Sequence, residues 1–178
     1  MKDIELKLIS ELLKNSRRSD RELAKTLGVS QPTVSRTLKR LEKEGIIKEY
    51  TIVPDFLKLG YHIMGVTLIK HTEPPDKDKS AEIRTKVVEI EKQNPHASLM
   101  AVNGMGLGKD RLFITFYEDY SAYSKAMELT KSMPHVEVDD VETFLVNLND
   151  KSNYRVLSMA ATANHLAHKG KGQSNASS

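Results

Sequence analysis

Residues 19–48 read SDRELAKTLGVSQPTVSRTLKRLEKEGIIK. They spell two short amphipathic helices around a glycine turn. Ser19 opens the first, with Glu22 three residues on, the spacing of a capping box. Leu23, Ala24 and Leu27 form its inner face. Gly28 ends it, because glycine takes positive φ without a Cβ clash. Ser30 caps the second helix, and Pro32 falls in the first turn, where a missing N–H costs little. At about 100° per residue, Leu38 and Leu41 lie within about 40° of Val34. Pro32, Arg36, Lys39 and Lys43 fall on the opposite side. Gly45 stops the helix. This is the layout of a helix-turn-helix, whose second helix enters the DNA major groove. The competing reading is an αα-hairpin used only for packing.

Upstream, Ile4, Leu8 and Leu12, with Ile9 and Leu13 beside them, recur at helical spacing and predict a helix from Lys2 to Lys14. Downstream, Ile46 to Val53 reads as extended, with Pro54 as breaker. A strand pair there makes a winged variant, with Lys48 on or near the wing. Pro54 to Gly60 is a short linker. Ile63 to Ile69 reads as a strand, PPDKDKS (Pro74 to Ser80) as a charged loop and Ser80 to Gln93 as a helix ended by Asn94-Pro95. Leu99 to Val102 and Arg111 to Tyr117 are strands joined by the turn-rich NGMGLGKD (Asn103 to Asp110). Asp119 caps a helix through Met133, and Val136 to Leu148 supplies the last strand.

The order β-α-β-β-α-β is the ferredoxin-like arrangement. The fold class is therefore α+β: a winged helix-turn-helix followed by a ferredoxin-like βαββαβ domain. The boundaries read as 1–53 for the DNA-binding domain, 54–61 for the linker and 62–150 for the ferredoxin-like domain. Residues 151–168 form an extension with a short helix from Ser158, docking on a partner subunit. Residues 169–178 form a disordered tail, since KGKGQSNASS has Ala176 as its one apolar residue. Two helices cover one face of the four-stranded sheet. The other face needs a partner, so a dimer is expected.

Charge agrees with the opening segment. Residues 1–50 hold 12 Lys and Arg against 8 Asp and Glu, a net +4, whereas residues 51–178 hold 15 against 16. The positive excess sits where phosphates would need it. With no cysteine, disulfides and thiol chemistry are excluded. Charges interrupt any apolar core in MKDIELKLISELLKN, so it does not read as a signal peptide, and no stretch approaches the roughly 20 apolar residues of a membrane span. A cytoplasmic protein is expected.

Direct base contact falls to Gln31, Thr33 and Arg36, because a recognition helix points its N-terminal part at base edges. Arg36 suits guanine O6 and N7, and Gln31 suits adenine. Ser35, Lys39, Arg40 and Lys43 suit phosphates, which position without reading sequence. For the last three the plainer alternative is a solvated helix face. The run Gly104-Met105-Gly106-Leu107-Gly108-Lys109 lacks Walker spacing and sits between antiparallel strands, so nucleotide binding is not read here. It is either a flexible hairpin or a ligand-accommodating loop. The six histidines show no metal spacing apart from His165 and His168, beside the tail. No catalytic constellation, cofactor or metal is expected.

At this point the chain resembles a known family, the Lrp/AsnC (feast/famine) transcriptional regulators. The resemblance rests on Asp3-Ile4, Arg18 before Ser19, Glu22-Leu23-Ala24, Gly28-Val29-Ser30, Val34, Arg36, the run from Leu41-Glu42 to Gly45-Ile46-Ile47, and Leu59-Gly60-Tyr61. It is specific over the first sixty residues and topological from there to residue 150. It implies double-stranded DNA as partner and homodimers that assemble further, into octamers or other rings. It also implies an amino-acid effector bound between dimers near the hairpin Gly104 to Asp110. Gly104, Gly106, Gly108 and Asp110 are then the effector residues: Asp110 for an ammonium group, the glycine N–H groups for a carboxylate. Family members have a short Gly-x-(Tyr/Phe)-Asp turn there; this chain lacks the aromatic residue and reads as longer. Two other functions fit the layout: a low-specificity architectural DNA-binding protein without effector, and a sirohaem-decarboxylase-like enzyme.

Overall fold

The computed structural model describes residues 1–72, 77–93, 97–152 and 157–174. They form two compact units. The first takes Met1–Val53 together with Tyr154–Ser178, and the second takes Pro54–Asn153.

In the first unit, α1 (Asp3–Lys14), α2 (Asp20–Leu27) and α3 (Gln31–Lys43) close around Leu8, Leu23, Ala24, Val34, Leu38 and Leu41. Each helix start is held by local bonds. The Glu5 carboxylate accepts from the Lys2 N–H at 2.9 Å. Ser19 and Glu22 cap each other, with the Ser19 N–H donating to Glu22 Oε2 at 2.8 Å and the Glu22 N–H donating to Ser19 Oγ at 3.3 Å. Gly28 leaves α2 at φ +68°, which lets the chain turn within three residues to the Ser30 cap.

Two expectations change here. Residues 46–53 form no strand ladder. The segment is extended but held from outside: Tyr50 donates to Glu42 Oε1 at 2.7 Å, and Ser16 Oγ donates to the Thr51 carbonyl at 3.1 Å. Secondly, the C-terminal helix α6 (Ala160–Ser174) belongs to this same unit and packs along α1, so it needs no partner subunit to dock on. Ser10 Oγ donates to the Ala163 carbonyl at 2.8 Å, and both residues are fully buried. The helix runs through residue 174, into the stretch that composition gives to a disordered tail. Gly170 and Gly172 are poor helix formers, but a helix nucleated on α1 extends one residue at a time at low cost.

The second unit contains β1 (Ile63–His71), α4 (Lys77–Gln93), β2 (Ala97–Gly106), β3 (Lys109–Tyr117), α5 (Tyr120–Lys131) and β4 (Val136–Asn147). The strands form one antiparallel sheet in the order β2-β3-β1-β4. Helix α4 begins at Lys77, so the charged loop is shorter than read; the Asn94-Pro95 stop lies outside the described residues. One sheet face carries Phe116, on which Phe56 stacks at 3.7 Å between ring centres, so the linker folds back onto this unit. The other face carries Thr67 and Tyr117. Gly65 makes room there: an added Cβ would sit 2.9 Å from Tyr117 Cε2 and 3.4 Å from Thr143 Cγ2.

The glycine run is the largest difference from the sequence reading. Strand β2 extends to Gly106 and β3 starts at Lys109, with Gly106 opposite Lys109. The connection is therefore two residues, Leu107 at φ +54° and Gly108 at φ +73°. Positive φ at both positions matches the twist of a tight hairpin. Gly104 and Gly106 are strand residues on the edge strand, with open space where a Cβ would go.

Candidate nucleic-acid interface

Helix α3 divides into two sides. Val34, Leu38 and Leu41 are buried in the core, while Gln31, Arg36, Lys39 and Lys43 are exposed. At its N-terminus Ser30 Oγ accepts from the Thr33 N–H at 3.4 Å, and the two hydroxyls lie 2.8 Å apart. Thr37 donates to the Thr33 carbonyl at 2.8 Å. These bonds fix the first turn on which Gln31 and Thr33 sit. Ser35 is half-buried beside them. Arg36 lies back along the helix, its Nε donating to the Pro32 carbonyl at 3.3 Å. Helical side chains point toward the N-terminus, so this lays the Arg36 side chain back over the first turn of α3. Among the described residues, Arg36, Lys39 and Lys43 have no carboxylate partner.

Arg40 differs. Its guanidinium is bonded to Glu5 of α1 and lies 3.7 Å from Glu44. Glu5 is 3% exposed. Burial opposes its ionisation, but the Arg40 bond, the Lys2 N–H and the nearby positive charges hold its carboxyl below the usual range. Arg40 therefore fastens α3 to α1, whereas the sequence placed it on phosphate. Periodicity shows which side a residue occupies, not which distant carboxylate waits there. The sequence reading also passed over Arg21 and Lys25, four apart on α2, exposed and without a carboxylate partner among the described residues. Spacing shows them on one helix face.

At the hairpin of the second unit, Gly104, Gly106 and Gly108 are exposed, and Met105 and Leu107 project at the tip. Asp110 is not free. Its Oδ2 accepts from the His71 N–H at 3.0 Å, and its Oδ1 lies 2.6 Å from His71 Nδ1. Lys109 is buried and bonded to Asp140 and, at 3.0 Å, to Glu142. The bond to Asp140 and then that to Glu142 raise its pKa. The local sequence shows neither pairing, because the partners lie 39 and 31 residues away. Among the described residues, no three groups are placed to hold a metal ion, and no helix is long and apolar enough to cross a membrane.

Comparison with known proteins gives this geometry a context. Residues 1–48 match a family model described as winged helix-turn-helix DNA-binding. An uncharacterised HTH-type transcriptional regulator of Pyrococcus horikoshii is 41% identical over 76 residues, 43% of this chain and 51% of that protein. The HTH-type transcriptional regulator LrpC of Bacillus subtilis is 47% identical over 57 residues, 32% of this chain and 40% of LrpC. In sequence the chain spans about half the length of the curated relatives it matches. In structure the likeness runs further. The crystal structure of the same Pyrococcus protein has a TM-score of 0.68 at 26% identity, covering 89% of this chain and 97% of that one. A transcriptional regulator of Neisseria meningitidis, solved in complex with L-Met, shares the fold at a TM-score of 0.67 and 20% identity, covering 91% of this chain and 99% of that one. The chain thus resembles HTH-type transcriptional regulators in sequence over its N-terminal part and shares the fold of such regulators over most of its length.

Proposed function

We propose that the protein is a sequence-specific DNA-binding transcription regulator that acts in the cytoplasm as a homodimer or higher assembly. The observation that supports this most is the unpaired, outward Arg36, Lys39 and Lys43 on a helix whose other side is locked into the core. Nothing in the packing of α3 requires three uncompensated cations. In this reading Gln31, Thr33 and Arg36 meet base edges, while Ser35, Lys39 and Lys43 meet phosphates. Arg21 and Lys25 join them, since the first helix of the motif crosses the DNA backbone. Two recognition helices address half-sites about 34–36 Å apart, or multiples of that.

The second copy covers the sheet. Phe144 is 71% exposed, and Leu99, Met100 and Val102 on the edge strand are exposed as well. Apolar surface of this kind marks an interaction site. The activity is regulation rather than catalysis. An amino acid is the first class of effector to try, since the Neisseria regulator was solved with L-Met. Its site need not include Asp110, whose two oxygens already serve His71.

The test is binding to a library of DNA sites with single substitutions. Arg36→Ala should relax preference at one base position, a change worth about 1–3 kcal/mol. Lys39→Ala should weaken every sequence alike and lower the salt slope by about one. Equal loss on every sequence for Arg36→Ala would instead favour an architectural DNA-binding protein.

A further inference from the structure

Between the sheet and helices α4 and α5 the second unit leaves a pocket of about 130 Å³. Protein interiors pack densely, and voids this large are few. The wall is mostly apolar, built by Ile83, Val87, Phe113, Leu129 and Met133. Ser98 and Ala101, which also line it, are exposed on edge strand β2 and provide a way in.

Two lining residues have unused hydrogen-bonding capacity. The His71 side chain is 1% exposed. Asp110 engages its Nδ1, which makes Nδ1–H the donor, and Nε2 is buried with no partner among the described residues. Leaving such a group unsatisfied is costly. Arg111 donates from Nε to Asn103 Oδ1 at 3.1 Å and has no carboxylate partner among the described residues. Among the described residues no Asp or Glu lines the pocket, so an ammonium group finds no counter-charge among them.

We propose that this pocket binds a small apolar monocarboxylate. Its carboxyl group meets the Arg111 guanidinium, which suits a planar carboxylate, and shares one proton with His71 Nε2. That proton arrives with the free acid or, for the carboxylate form, is given up by the buffer's acid, which becomes its conjugate base; the His71 Nδ1–H stays bonded to Asp110 throughout. An apolar cavity of about 150 Å³ accepts benzene, so the ligand body is about four to six carbons. The site differs from the amino-acid effector considered above, and its occupancy is read on the protein without DNA.

Titration calorimetry of the full chain with 3-methylbutanoate, 3-methylbutan-1-ol and leucine tests it. The expected result is one site for 3-methylbutanoate, with binding at least tenfold weaker for the alcohol and for leucine. Arg111→Leu should remove the preference for the carboxylate over the alcohol. Ala126→Leu, which fills the pocket, should abolish binding of both; if that variant does not fold, Arg111→Leu decides. Repeating the titration in buffers of different ionisation enthalpy should reveal uptake of one proton or less. The proposal is overturned if 3-methylbutanoate does not bind. It is equally overturned if Arg111→Leu leaves the preference intact, or if leucine binds as tightly as 3-methylbutanoate. The last outcome would leave the amino-acid effector reading standing, and none of these outcomes touches the DNA-binding reading.

Discussion

The segment from Ser19 to Leu41 and the hairpin from Asn103 to Asp110 are both punctuated by glycine, yet glycine does different work in each. Gly28 is a stop: its positive φ ends α2, and capping residues on either side agree with it. In the hairpin, Gly108 alone has that role, while Gly104 and Gly106 lie within strand β2, where the register shifts between Asn103 and Gly106. A helix end is decided by neighbours three or four positions away. A strand is decided by a partner strand, which a local reading does not contain.

Five substitutions test this contrast, starting from the largest expected effect. Leu41→Ala removes a side chain that is 0% exposed at the centre of the three-helix core. It should cost about 2–5 kcal/mol in thermal or denaturant unfolding of the first unit. A loss below 1 kcal/mol would mean that the core is not the one described. Gly65→Ala should cost about 1–3 kcal/mol, because the new methyl group meets the buried Tyr117 ring. No loss would show that the ring has room to move. Ser19→Ala removes both halves of the α2 capping box and should cost about 1 kcal/mol. Finally, Gly104→Ala should change stability by less than about 0.5 kcal/mol, whereas Gly108→Ala, at φ +73°, should cost about 1–2 kcal/mol. Equal effects at the two glycines would return residues 103–110 to an irregular loop.

Acid provides a further test, confined to the first unit. Glu5 and Glu11 are both held below their ordinary value of 4.5. For Glu11 the Lys14 bond is the main cause, with burial opposing and Arg18 assisting. Groups that ionise more readily when folded stabilise the fold above the unfolded pKa and lose that effect as pH falls through the folded one. Helix content followed by circular dichroism should therefore fall as pH drops below about 4.5. An Arg40→Ala variant should begin to fall at higher pH, because its Glu5 has lost a partner.

Much of the molecule was legible because its signals are local. The caps at Ser19, Ser30 and Asp119 and the inward faces of α2 and α3 each need only a few consecutive residues. Arg40 and Asp110 show the opposite case. Each carries the right chemistry for a site, but Glu5 and His71, far away in the chain, already hold it. Tyr50 shows the same limit on a smaller scale. Burial, with Glu42 and Asp20 adding to it, pushes its hydroxyl up to about 12, and nothing in residues 46–53 signals that environment. The unpaired Arg36 and the committed Arg40 look alike in sequence, and only packing separates a residue available to a ligand from one spent on the fold.

The bond from Ser10 to Ala163 joins residues 153 positions apart. Because residues 54–153 form a unit of their own, the first unit is written in two instalments, with a complete domain between them. A chain emerging from the ribosome therefore makes its three-helix core early and must wait for the whole sheet before α6 can cover α1. During that interval the α1 flank carrying Leu6 and Ser10 is bare. Contacts of such long sequence separation form late, so this flank is where a growing chain is most exposed to sticking to its neighbours.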